Sequence, residues 1–194
     1  MAIHRHVAAA ALALSLAAGT ATPAHAGPPW ISIELPANPM NSTTRGAYLL
    51  VHSFHHDLAM RQVLEGHAEG LVDGRRQSIA LRFTDTSRDF VRALQKNWPD
   101  EGTWVLVITV GGHPDGATAL VGIAGDGTVR SVDVPTTRQG RWVVPRQVTP
   151  KDVDAMLTRL AAADTGRNSQ RNLALLLGGL VVLPAGLVAF RRSA

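Results

Sequence analysis

Residues 90–110, FVRALQKNWPDEGTWVLVITV, hold two apolar runs on either side of a four-residue break. Residues 90–98 and 103–110 are rich in aromatic and branched side chains, and Pro99, Asp100, Glu101 and Gly102 separate them. That composition predicts two β-strands joined by a tight connection.

The same punctuation continues outward. Residues 30–35 (WISIEL) alternate, and 36–46 (PANPMNSTTRG) is turn chemistry. Residues 47–54 (AYLLVHSF) read as a central strand, apolar on both faces. Residues 63–72 and 77–84 are joined across Asp73-Gly74, a strong hairpin signal. Residues 117–124 and 129–134 flank Gly125-Asp126-Gly127, a second hairpin. Seven or eight strands at this spacing, with no helical period between them, predict a mostly β fold, an antiparallel β-sandwich over residues 27–148.

The period then changes. Thr149 as N-cap and Pro150 at the first helical position open a short amphipathic helix over 149–164, with Val153, Met156, Leu157 and Leu160 on one face. Residues 165–171 read as a polar juxtamembrane linker. Residues 172–190 (NLALLLGGLVVLPAGLVAF) carry no charge, and about 28 Å of helix at 1.5 Å per residue matches a hydrocarbon core. Arg191 and Arg192 follow, so the tail 191–194 is expected in the cytoplasm. At the other end, Arg5, the Ala/Leu run of 7–18 and Ala24-His25-Ala26 form an export signal over 1–26. The expected protein is a single-pass membrane protein whose β-domain is exported, periplasmic or extracytoplasmic, and anchored by one C-terminal transmembrane helix.

Charge narrows the partners. Between residues 27 and 171 there are 16 Lys and Arg against 15 Asp and Glu, a net +1. The high overall pI therefore does not come from a basic face, which argues against nucleic acid. The chain has no cysteine, so an exported domain must be stable without disulfides.

Phe90, Ala93, Gly102, Trp104, Leu106 and Ile108 also follow a pattern of an aromatic, a small residue, then Gly-x-Trp and alternating apolar residues. Over roughly residues 65–110 this resembles the YtkA-like domains, small exported immunoglobulin-like sandwiches related in shape to CopC-type copper-resistance proteins. The resemblance implies an immunoglobulin-like β-sandwich in which Gly102 permits a tight turn and Trp104 fills the space between sheets. CopC relatives often bind copper through an N-terminal histidine with further His and Met ligands. A full ligand set of that kind cannot be placed on this chain.

Residues 51–60 (VHSFHHDLAM) pose the metal question directly. Imidazole and thioether suit copper, and a cysteine-free exported domain would have to use them. The candidate ligands are His52, His55, His56 and Met60, with His67 in the next strand. In an extended strand His52 and His56 stand about 13 Å apart, at roughly 3.3 Å per residue, so one ion could join two of these only if the chain turns near 54–57. The alternative is a strand that ends in polar residues. Cleavage after Ala24 rather than Ala26 would leave His25 as the free N-terminus, able to chelate Cu(II) through amine and imidazole in a histidine brace.

No catalytic constellation emerges. Glu65 and Glu69 share a strand face but lie far apart. There is no G-x-S-x-G. GGHPDG and GDG are turns with no helix after them. The Arg75-Arg76 pair solvates a hairpin edge, and the four tryptophans read as core or rim aromatics. The sequence points to a non-catalytic binding or accessory module of the bacterial envelope with an unknown protein partner, and, as the alternative, to a copper-binding domain.

Overall fold

The computed structural model describes residues 27–35, 40–112 and 116–178, with backbone alone for 167–178. The export signal with His25, the turn residue His113, and the apolar run and tail from residue 179 onward lie outside the described residues.

The run TWVLVITV forms the central strand of the larger sheet. This strand, β8 (Thr103–Val110), pairs antiparallel with β4 (Leu64–Val72) on one side and β9 (Ala117–Ile123) on the other. The hairpin partner β5 (Arg75–Ala80) and the strand β10 (Val129–Asp133) complete a five-stranded sheet in the order β10-β9-β8-β4-β5. A second antiparallel sheet runs β1 (Trp30–Glu34), β2 (Leu49–His55), β7 (Val91–Gln95), β6 (Arg82–Asp85), and the two-residue β3 (Leu58–Ala59) pairs with β2. The short hairpin of β11 (Thr136–Gln139) and β12 (Trp142–Pro145) stands apart from both sheets.

The two sheets face each other across one apolar core. Ile31, Leu49, Val51 and Leu94 come from the smaller sheet, and Ala68, Trp104, Leu106, Ile108, Val121 and Ile123 from the larger. Trp104 is 1% exposed and sits against Gly70 on the neighbouring strand, where an added Cβ would come within 2.4 Å of the indole. Its Nε1 donates to the Glu101 carbonyl at 2.9 Å. Gly102 takes φ +86°, and a Cβ there would collide with the Leu71 carbonyl at 2.4 Å. The glycine and the tryptophan thus have the roles expected from the Gly-x-Trp motif.

A helix covers the outer face of the larger sheet. Pro150–Gly178, here α1, lays Val153, Met156, Leu157 and Leu160 on Val105, Val107 and Leu120. This explains why β8 and β9 are apolar on both faces. The helix begins as expected: Thr149 accepts the first backbone bonds, and Asp152 takes the Thr149 N–H and hydroxyl, both at 2.8 Å. Arg146 holds the same carboxylate at 2.6 and 2.8 Å. These bonds, the Arg146 pair first, keep the Asp152 carboxyl far below the usual carboxylate range.

Two expectations need correction, and one hairpin was not foreseen. Residues 77–84 are not one strand in one sheet, because the chain crosses from β5 to β6 at Leu81. Ile79, Leu81 and Phe83 keep their alternation through the crossing, so the same side of the chain faces the core in both sheets. The hairpin β11–β12 was not legible as strands, since its residues are almost all exposed and have no core face to impose a period. The helix does not end at residue 164 as expected but continues through residues 165–171. Among the described residues no helix is long and apolar enough to cross a membrane.

Candidate functional site

The sandwich has two distinct ends. At one, β8 finishes at Val110 and β9 starts at Ala117, while Gly111 N–H donates to the Val63 carbonyl and lies against Pro29. At the other, the β9–β10 turn meets both the smaller sheet, through Tyr48 Oη–H to the Gly127 carbonyl at 2.8 Å, and α1, through Gly125 N–H to Asp164 at 2.8 Å. The helix starts toward the Val110 end and leaves past the Gly125 end.

The histidine cluster is at the Val110 end. The chain does turn there: β2 and β3 form a hairpin with His55 opposite Leu58 and only His56 and Asp57 between them, at φ +50° and +62°. Two positive φ values in a two-residue loop are the geometry of a type I′ turn, here without glycine. The turn brings the His55 and His56 rings to 4.3 Å, edge to face. Met60 returns opposite Ser53, its N–H donating to the Ser53 carbonyl at 3.1 Å and its carbonyl accepting from Ser53 Oγ at 2.6 Å. Met60 therefore sits on the ladder face that carries His55.

The other two candidates point elsewhere. His52 lies on the outer face of the smaller sheet, stacked on Phe54, with Nε2 at 2.8 Å from Glu34 Oε2. Arg88 binds both oxygens of Glu34 at 3.0 and 2.8 Å. That pairing, more than the contact from His52, lowers the Glu34 pKa against the upward push of burial. His67 is on the outer face of the larger sheet, 3.6 Å from Glu69 Oε1. Burial raises the Glu69 pKa, but hydrogen bonds from Ser78 and Arg76 outweigh it and leave the group lowered. His52 and His67 thus face opposite sides of the molecule. Among the described residues, no group of three or more His, Cys, Asp and Glu is placed to hold a metal ion.

Two clefts open near this end. The larger, about 300 Å³, lies beside the start of α1 on the outer face of β4 and β8, where Glu65, His67, Thr109 and Thr118 replace the apolar residues that the helix covers elsewhere. The smaller, about 90 Å³, opens where β7 begins beside β3, between Val51, Ser53, Leu64, Val91 and Val110. Arg61, Arg88, Arg92, Asp85 and Asp89 line its walls. Sequence reading missed this cleft because its arginines are scattered over three segments and only the topology gathers them.

Exposed apolar residues gather at this end, with Phe90 in the wall of the smaller cleft. Leu58 is 72% exposed and Val63 59%, with Trp30, Met60 and Phe90 at about 40% each. Leu35, just after β1, is exposed nearer the other end, while Met40, beside the Asn41 that bonds Ser87, and Val132, Trp142 and Val143 on β10 and β12 are exposed as well. Comparison of the chain with family models, with curated proteins and with solved structures returns no match.

Proposed function

We propose that this protein is a non-catalytic binding module of the bacterial envelope, exported, anchored through residues 172–190, and built as an immunoglobulin-like β-sandwich of the YtkA and CopC kind. The observation that carries this reading is the polarity of the sandwich. The apolar rim of Leu58, Met60, Val63 and Phe90 lies at the Val110 end, while α1 departs past the Gly125 end and continues about 20 Å at 1.5 Å per residue. An anchored helix would then hold the rim away from the bilayer, where a protein partner can reach it. Exposed apolar patches of this kind mark interaction surfaces.

The test is site-specific photo-crosslinking in living cells. A crosslinker at Val63 should give a discrete adduct, and one at Asp73, on the opposite end, should not. Equal crosslinking from both positions would remove the reading. Protease added to spheroplasts should digest the sandwich and leave the C-terminal tail protected.

A second reading has its own observation. The turn at His56-Asp57 sets the His55 and His56 rings 4.3 Å apart with Met60 on the same ladder face, which supports a copper site formed by these three residues alone. His55→Ala with His56→Ala should abolish copper uptake, and His67→Ala should leave it unchanged. Metal binding competes with protons for its ligands, so affinity should fall on acidification. A domain with its native N-terminus that takes up no copper at neutral pH would end this alternative.

A further inference from the structure

From the small cleft at the Val110 end we infer that the partner segment docking there is an apolar peptide carrying a carboxylate side chain. The inference rests on the binding-module reading and adds the chemistry of what binds.

Four features meet at this place. The first is the cleft itself, about 90 Å³, room for one short side chain rather than a cofactor. The second is an excess of donors. Arg61 and Arg92 both lean on the single carboxylate of Asp85, at 3.7 and 3.2 Å. The Arg92 Nε–H is buried and not directed at that oxygen, so it makes no hydrogen bond. Arg88 is held on Glu34, and Asp89 stands exposed at the lip, outside both pairs. Two guanidinium groups sharing one carboxylate, with Arg61 largely exposed, suit a second carboxylate arriving from outside.

The third feature is Phe90. It holds φ +61° while 42% exposed, so the backbone is strained without burying the ring. Left-handed geometry is unusual for a bulky residue, and such strain persists at ligand clamps. The fourth is the rim of Leu58, Met60 and Val63, which offers apolar contact to residues on either side of the carboxylate.

The test uses full-length protein in detergent micelles and three immobilised sets of apolar nonapeptides, with a central Glu, Gln or Lys. Glu-centred peptides should bind about tenfold tighter than Gln-centred ones, the equivalent of one charge-assisted contact. Arg61→Gln, an exposed change, should bring that ratio close to one at an unchanged melting temperature. Phe90→Gly should keep or raise the melting temperature, because glycine accepts positive φ, yet weaken all three sets. Equal binding of Glu and Gln peptides, binding of none, or Phe90→Gly with unchanged affinity would each overturn the inference. Crosslinking at Val63 is scored separately. An adduct there with no Glu preference keeps the docking end and overturns the carboxylate, whereas a Glu preference without an adduct does the reverse.

Discussion

The two sheets share one core but finish their outer faces in different ways. Over the middle of β8 and β9 the larger sheet is apolar on its outside as well, and α1 closes it there with four side chains on Val105, Val107 and Leu120. The smaller sheet buries Leu50, Val91 and Ala93 under the irregular connection around Thr44 and Ala47, and beyond them its outer face carries Phe54 and the polar group of His52, Glu34 and Arg88. One face is closed by hydrophobic burial, worth about 1.5–3 kcal/mol for each large side chain. The other depends partly on exposed charge pairs, worth about 0–1 kcal/mol each. The stability of the molecule should therefore be concentrated in the larger sheet.

The sharpest way to break this comparison is at Trp104. Trp104→Ala should cost about 3–5 kcal/mol by urea denaturation, since the indole fills the space over Gly70 and the cavity cannot collapse onto a glycine. Loss of the helix contact comes next: Leu157→Ala should cost about 2–5 kcal/mol and expose dye-binding apolar surface on the larger sheet. A loss below 1 kcal/mol would mean that α1 does not close that face.

The helix start gives a smaller effect with a pH signature. Asp152→Asn should cost about 0.5–2 kcal/mol at pH 7. The folded-state pKa of Asp152 is lowered, so its contribution is full above the ordinary carboxylate range and disappears as pH falls below it. The gap between wild type and variant should narrow in urea titrations taken from pH 5 towards pH 2, and a gap that stays constant would count against the cap. On the smaller sheet, Glu34→Gln should show the same sign with a lesser amplitude, because the lowered carboxyl is partly solvent-screened. Trp142→Ala should be smallest, within about 0.5 kcal/mol, as the ring is 64% exposed and packs against Arg141 on an isolated hairpin.

Two hairpins show how much the sequence could disclose. Asp73-Gly74 announces its turn through composition, and the structure places Val72 opposite Arg75 with φ +49° and +74° in the loop. His56-Asp57 makes the same kind of turn with no glycine, so the strong Asp-Gly signal is missing there, although His and Asp tolerate positive φ better than most residues. The strands with a core face were legible because burial imposes alternation, and the helix because Thr149, Pro150 and the period of Val153 to Leu160 agree. The crossing at Leu81 was hidden by its own regularity, since an unbroken alternation reads as one strand. The proposed anion cleft was invisible for a different reason. Arg61 and Arg92 come together only because β3 and β7 follow one another along the same side of β2.

That crossing has a consequence for how the molecule comes apart. The stretch from Arg75 to Asp85 is hydrogen-bonded to β4 in its first half and to β7 in its second, and the Leu81 N–H binds the Gly66 carbonyl at the changeover. Neither sheet can melt without loosening this shared strand, so the free-energy cost of opening one is transmitted to the other. Heat should therefore unfold the sandwich in a single cooperative step, with amide protons on β4 and β7 exchanging through the same global opening.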